Sequence, residues 1–306
     1  MQKENNSETS PKKGFLLDIA RGVGIGTAFI IPGFSGGSVA AILGIYERLV
    51  NAIADIFGNF KKSFLTLLPI FIGMAIGICA LIYPLSYTLS AFPLPTVALV
   101  VGLAIGGIPS VTDNMRGGVK PSGVIALSAA LLLALSLSFL PIGNEVDLFS
   151  LDFVGYLLLF GVGIIGSAAL VIPGISGSML LFIFGYYNPI LRVATEHLFL
   201  GRDILTSLGI LLTVGGGIVV GFIGISVVMK RLLIKYKRTT YFAICGFILG
   251  SLPSVFISAG KDAGYTVSTL PDSPLHWVAV ALLFAVGFAV SFILVRLVKR
   301  SAREKE

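Results

Sequence analysis

The stretch Ile31-Pro32-Gly33-Phe34-Ser35-Gly36-Gly37 recurs 141 residues later as Ile172-Pro173-Gly174-Ile175-Ser176-Gly177-Ser178. At the same shift Ala28 meets Ala169, Gly44 meets Gly185 and Tyr46 meets Tyr187. Further along the shift becomes 144. Gly73 and Gly77 match Gly217 and Gly221, and the series Gly102, Gly106, Pro109, Ser110, Val111 matches Gly246, Gly250, Pro253, Ser254, Val255. An ordered series of this kind is the mark of a duplicated chain, with a three-residue insertion between Tyr187 and Gly217.

The surroundings of the repeat are those of a membrane protein. Of 306 residues 56% are hydrophobic and 12% charged, with mean hydropathy +0.97; a soluble domain is about 25% charged. Apolar runs at Ser63–Tyr83, Phe92–Val111, Ser122–Leu140, Ile204–Met229, Tyr241–Ser258 and His276–Val295 approach or exceed the roughly 20 residues that cross a bilayer as a helix. The expected fold is all-α and polytopic. Each repeat carries a re-entrant or broken hairpin followed by three transmembrane helices. The divisions are a polar, disordered arm at 1–13, a first repeat at 14–141, a second at 152–298 and a basic tail at 299–306.

Charge sets the orientation. The legs Gly22–Ile31 and Phe34–Tyr46 are too short for full spans, whereas Phe153–Ile172 and Ile175–Leu191 are longer and could cross. Either way each hairpin returns the chain to the side where it began. With the N-terminus in the cytoplasm, the chain is inside at Lys61-Lys62, outside at Pro84–Pro95, inside at Arg116–Lys120 and outside at Pro141–Asp152. Lys230–Arg238 is then inside, Gly260–Pro274 outside, and the C-terminus inside. Of the 22 Lys and Arg only Arg192, Arg202 and Lys261 fall outside, as cationic loops remain cytoplasmic. The first repeat starts inside and the second outside, so they are inverted-topology repeats, a common plan in secondary transporters.

The same distribution explains the net charge of +7 without nucleic acid, for which no motif or aromatic-interleaved basic stretch exists. Cys79 and Cys245 lie in apolar runs without metal-ligand spacing. His197 and His276 sit near loop ends. No metal, cofactor or catalytic group is expected. Gly161-Val162-Gly163-Ile164-Ile165-Gly166 matches a dinucleotide pattern, but it lies in a membrane run with no acidic residue about 20 positions on.

The repeated motif itself carries chemistry. Pro removes a donor and Gly tolerates positive φ, so Pro-Gly-x-Ser-Gly breaks a helix in mid-membrane. Irregular backbone survives there only when buried in protein or lining a wet cavity. Ser35 and Ser176 are candidate N-caps of the next helix, whose free N–H groups favour an anion. The candidate phosphate-binding set is Pro32, Gly33, Ser35, Gly36, Gly37 and Ser38 with Pro173, Gly174, Ser176, Gly177 and Ser178. Close-packing kinks are the alternative reading, against which the duplication and the added serines weigh. Charges close to membrane depth are costly and tend to be functional. Arg21, Arg48 and Arg192 are candidates to complete neutralisation of a phosphate. Asp18 and Glu47 are candidate coupling residues, and Asn188 stands where Glu47 stands in the first repeat.

Pro32-Gly33-Phe34-Ser35-Gly36-Gly37-Ser38 followed by Gly44-Ile45-Tyr46-Glu47-Arg48-Leu49 resembles the signature of bacterial polyprenyl-phosphate transporters, long catalogued as a domain of unknown function. Pro173-Gly174-Ile175-Ser176-Gly177-Ser178 with Gly185-Tyr186-Tyr187 resembles that family's second signature. The likeness runs from about Gly14 to Val298. It implies a flippase of the bacterial cell membrane that returns undecaprenyl phosphate from the outer to the inner leaflet in cell-envelope synthesis. The partners are then the polyprenyl-phosphate lipid and the bilayer, and a homo-oligomer is compatible. Members often carry an acidic or polar residue where this chain has Phe29, so a coupling role for that position does not carry over. Two other readings use the same helix ends: a small-anion channel or exchanger, and a membrane lipid pyrophosphatase. The second lacks its chemistry here, because Gly36 and Gly177 stand where that family's motif has arginine and no Glu-x-x-x-Glu pair occurs.

Overall fold

In the computed structural model the described residues are 11–30, 35–115, 117–118, 120–140, 143–175, 177–194, 203–262 and 273–303. Among them every regular element is a helix. Four helices are long and apolar enough to cross a membrane, and two shorter apolar helices accompany them, so the chain is a polytopic α-helical membrane protein.

The helices are α1 (Pro11–Ile30), α2 (Gly36–Ile42), α3 (Tyr46–Ala54), α4 (Phe60–Ala91), α5 (Pro93–Thr112) and α6 (Pro121–Phe139). They continue as α7 (Phe153–Val171), α8 (Gly177–Ile183), α9 (Tyr187–Arg192), α10 (Ile204–Asp262) and α11 (Pro274–Arg303). Helix α1 takes in Pro11–Lys13, given above to the polar arm, since proline at a first helical position has its φ preset.

Three boundaries differ from expectation. The leg Ile175–Leu191, long enough by count to cross, is divided. Helix α8 has seven residues, about 10 Å of rise against a hydrocarbon core of about 30 Å, and Gly185 (φ +76°) turns the chain into α9. Pro84–Pro95 is not a loop: α4 runs through Pro84 to Ala91 and the chain turns at Phe92. Lys230–Arg238 is not a loop either. It contains no Gly or Pro, and α10 is interrupted only at Tyr236 (φ −132°, ψ 37°). That kink separates an arm at 204–235, α10a, from one at 237–262, α10b.

Lipid offers no hydrophobic drive for helix association, so contact depends on close backbone approach at small residues. A methyl built on Gly73 would lie 2.0 Å from the Ile19 carbonyl oxygen, and one on Gly217 2.2 Å from that of Phe160. These pack α4 on α1 and α10a on α7. Likewise a methyl on Gly102 would lie 2.2 Å from the Phe284 carbonyl oxygen, and one on Gly246 2.2 Å from that of Leu127. Helix α5 therefore packs on α11, while α10b packs on α6. Gly73 and Gly102 and their matches at 144, Gly217 and Gly246, thus each meet a partner helix through a backbone carbonyl. Large side chains such as Ile125, Leu132, Leu157, Leu205 and Leu212 are exposed, which suits helices bathed in acyl chains.

Between these helix pairs sits a core of Ile25, Ala40, Tyr46, Val50, Ile70, Val111, Val171, Ile244 and Ile248. It holds the two broken hairpins together.

Candidate functional site

Helix α1 ends at Ile30 and α2 begins at Gly36, with Ser35 as an extended N-cap (φ −103°, ψ 128°). The Ser35 carbonyl accepts from the N–H of Ser38 (3.0 Å) and of Val39 (3.3 Å), so the new helix starts at once. Its Ser35 side chain makes no capping bond. Pro32 and Gly33 lie outside the described residues. On the other side α7 ends at Val171, and Pro173 and Gly174 form a turn. Gly174 has φ +86°, and a methyl there would lie 2.4 Å from the backbone carbonyl carbon and oxygen of Phe247, so no other residue fits without strain. Gly177 and Ser178 open α8, and Ser176 lies outside the described residues.

The two breaks meet. A methyl built on Gly37 would lie 3.3 Å from both Cα and N of Pro173 and 3.4 Å from the Val171 carbonyl oxygen. The Tyr46 hydroxyl, from the start of α3, donates to that same Val171 carbonyl at 2.8 Å. It satisfies one of the carbonyls that the end of α7 leaves without a helical partner. Tyr46 was visible in the sequence as a repeat-matched residue, but nothing in it pointed to this strap across 125 residues. Close by, Ser38 is 1% exposed and its hydroxyl has no hydrogen-bond partner. Buried hydroxyls are nearly always bonded, so this one is a donor in reserve beside the junction.

Below the junction is an apolar cavity of about 380 Å³, lined by Ile25, Gly36, Gly37, Ile53, Met74 and Phe222 among others. Exposed Phe71 and Val219 also line it, placing its mouth on the outer face between α4 and α10a.

The charged candidates gather elsewhere. Asp18 is buried and takes an arginine on each oxygen: Arg21 Nη1 on Oδ1 at 3.2 Å and Arg48 Nη2 on Oδ2 at 2.5 Å. Arg21 stands nine residues before Ile30, roughly 13 Å along the helix, beyond the reach of its side chain to the break. The structure thus brings Arg21, Arg48 and Asp18 together, but not onto the motif. Glu47 binds Lys237 Nζ (2.7 Å to Oε1) and accepts from the Tyr241 hydroxyl (2.8 Å). Lys230 holds both oxygens of Asp55 at 2.5 and 2.6 Å. Arg238 donates to the carbonyls of Met115 and Gly117. These bonds gather the early part of α1, α3 and the kink of α10 at one end of the molecule. Lys230, Lys237, Tyr241 and Asp55 carry no local motif, and only the fold identifies them.

Arg192 is placed apart. It pairs with Glu145, which also accepts from Asn188 at 2.8 Å. Glu145 ionises below the usual carboxylate range because the Arg192 and Asn188 side chains bond its charged form. Asp147 is lowered likewise by the Phe149 N–H and the Ser150 hydroxyl. Among the described residues no cluster of His, Cys, Asp and Glu could hold a metal ion.

A family model described as undecaprenyl phosphate translocase-like matches residues 25–269. A polyprenyl-phosphate transporter of Staphylococcus aureus is 32% identical over 286 residues, covering 92% of this chain and 96% of the relative. A polyprenyl-phosphate transporter of Vibrio cholerae is 28% identical over 309 residues, covering 90% and 94%. No solved structure matches the chain. With both signature segments inside a family match that spans most of its length, the chain belongs to the undecaprenyl phosphate translocase-like family.

Proposed function

We propose that this protein moves polyprenyl phosphate across the bilayer, passing the phosphate through the junction of the two Pro-Gly-x-Ser-Gly breaks while the tail stays in lipid. The observation that carries this reading is the junction itself. Gly37 abuts Pro173, a buried Ser38 hydroxyl waits without a partner, and an apolar cavity runs from Gly36 and Gly37 to the lipid-facing surface. A phosphate head needs N–H and O–H donors at depth, where an unpaired anion is prohibitively costly. An isoprenoid tail needs an apolar side opening. The relatives' names agree with such a substrate.

The matched glycine contacts support two repeats, and the distribution of Lys and Arg supports their opposite orientation, each offering one break to the centre. The cationic end that contains Arg48, Lys230 and Lys237 is then cytoplasmic, and so are both termini. The Glu145–Arg192 end faces outward, and net movement is inward for carrier-lipid reuse in envelope synthesis. Asp18 and Glu47, acids held between cations at the inner end, are the coupling candidates. The protein performs no covalent chemistry on the lipid. A small-anion exchanger has no use for the apolar side cavity, which favours the lipid substrate.

The test is a proteoliposome assay in which polyprenyl phosphate becomes protected from an external, impermeant phosphatase. Protein-dependent protection, without release of phosphate from lipid pyrophosphate and without sulfate or chloride flux, is the expected result. Anion flux without lipid movement would overturn the reading.

A further inference from the structure

A second, polar cavity of about 420 Å³ lies among α3, α4 and α10a, lined by Arg48, Asn51, Asp55, Asn59, Lys62 and Lys230 with smaller neighbours. It is separate from the two breaks. Three cations and one carboxylate face it. The carboxylate is already spent, since Lys230 holds both Asp55 oxygens. Lys62 is exposed and its ammonium has no partner among the described residues. The side-chain amides of Asn51 and Asn59 likewise make no hydrogen bond there. The cluster is concave, carries a surplus of about one positive charge because Arg48 is paired with Asp18 as Lys230 is with Asp55, and keeps three donor groups open.

Its position gives the ligand class. The polar and apolar cavities share α3, α4 and α10a and follow one another along them, and the apolar one reaches on to Ile25 of α1 and Gly36 and Gly37 of α2. Along α4 the polar cavity takes Asn59 just before the helix, then Lys62 and Thr66, and the apolar one takes Leu67, Phe71 and Met74. On α10a the order is Lys230 and Ile234, then Ile223, Phe222 and Val219. The cluster of Ala52, Ile53 and Leu67 lies between them. A phosphate monoester carries between one and two negative charges near neutral pH, which the surplus offsets in large part, and an attached apolar chain matches the neighbouring cavity.

We infer that this vestibule is a second phosphate station, where a lipid-borne phosphate rests on Lys62, Asn51 and Asn59 at the membrane surface, before or after it passes the breaks. The inference rests on the transport reading for its place in a sequence of events, but not for binding.

The test uses the full chain in nanodiscs of phosphatidylcholine, with p-benzoylphenylalanine at Ile234, an exposed residue lining the cavity. Radiolabelled farnesyl phosphate is added and irradiated. Cross-linking is expected, suppressed by unlabelled farnesyl phosphate but not by equal concentrations of inorganic phosphate or phosphatidylglycerol. Lys62→Gln and Asn59→Ala, both at exposed positions, should weaken capture, Lys62→Gln by about tenfold, with unchanged melting midpoints. Equal suppression by inorganic phosphate would make this a free-anion site, and equal suppression by phosphatidylglycerol an ordinary lipid contact; either overturns the inference. Absence of capture in a protein that still moves polyprenyl phosphate overturns the station and leaves the transport reading intact. Specific capture in a protein that moves no lipid does the reverse.

Discussion

Gly37 and Gly174 are equivalent in kind, both glycines of a motif at the junction, but the structure assigns them opposite costs. Gly37 sits inside α2, where alanine is favoured over glycine by about 1 kcal/mol. The added methyl would meet Pro173 at 3.3 Å, a contact that needs the neighbour to give by a few tenths of an ångström and costs about 1 kcal/mol at the low end of overpacking. The two terms cancel, so Gly37→Ala should keep the wild-type melting midpoint. Gly174 has φ +86° and its methyl would lie 2.4 Å from a backbone carbonyl. Left-handed geometry costs about 1–2 kcal/mol, and overpacking against backbone that cannot rotate away adds about 1–3 kcal/mol. Gly174→Ala should therefore lose about 2–5 kcal/mol, a large share of typical stability.

Function should sort them differently. If headgroups cross between Gly37 and Pro173, then Gly37→Ala slows lipid movement and Gly37→Leu stops it, although the alanine variant is as stable as wild type. Thermal unfolding followed by fluorescence-detected gel filtration, read beside the proteoliposome assay, separates the two effects. Wild-type transport by Gly37→Leu would refute the junction as the passage. A Gly174→Ala variant as stable as wild type would refute the strain argument.

Tyr46→Phe should lower stability by about 1–3 kcal/mol, because the Val171 carbonyl is left without its donor; an unchanged melting midpoint would show the strap to be idle. Ser38→Ala removes a buried hydroxyl that has no partner, so stability should hold or rise while lipid transport falls; a fall in stability with normal transport would make Ser38 a packing residue. Glu145 is held below its usual pKa by Arg192, so the link contributes above the ordinary value of 4.5 and is lost as pH drops through the lowered one. The difference in melting midpoint between wild type and Glu145→Gln should accordingly be flat from about pH 8 to about pH 5 and vanish in stronger acid. A single cysteine at Lys235 should resist an impermeant thiol reagent in intact cells, and labelling there would sink the proposed orientation.

What could be read from the sequence was whatever is local or periodic. Pro-Gly-x-Ser-Gly specifies a break because proline and glycine act on their own backbone, and α2 does begin at Gly36 with Ser35 before it. Gly73, Gly102, Gly217 and Gly246 could be recognised as packing positions because small residues four apart share a helix face. Helix continuity was harder. Lys230–Arg238 looks like a loop by charge, yet its residues are helix formers without a breaker, and one off-helix torsion at Tyr236 suffices to turn it. The charge partners were out of reach. Arg21 and Asp18 are a turn apart, but Arg48 joins them only because α3 folds back beside α1, and Glu47 meets Lys237 across 190 residues.

The position of these charge partners bears on how an anion is handled. Arginines at the break would trap phosphate by direct neutralisation, and a site that binds too tightly releases slowly. The described part of the junction instead presents neutral donors and backbone, while the formal charges stand at the ends of the molecule, neutralised by Asp18, Asp55, Glu47 and Glu145. An anion at the centre would then be held mainly by helix-end dipoles of about half a charge each and by hydroxyls such as that of Ser38. This is weak enough to let go on either side, and the uncompensated Lys62 of the polar vestibule would draw the phosphate out. On this account moving charge to the centre should harm transport more than removing it from the ends. Ser38→Lys should bind polyprenyl phosphate at least as well as wild type yet move it more slowly, whereas Arg21→Gln should retain most of the wild-type rate. If Ser38→Lys transports faster, or Arg21→Gln abolishes transport with the protein still folded, the phosphate is neutralised by arginine during passage and the dipole account fails.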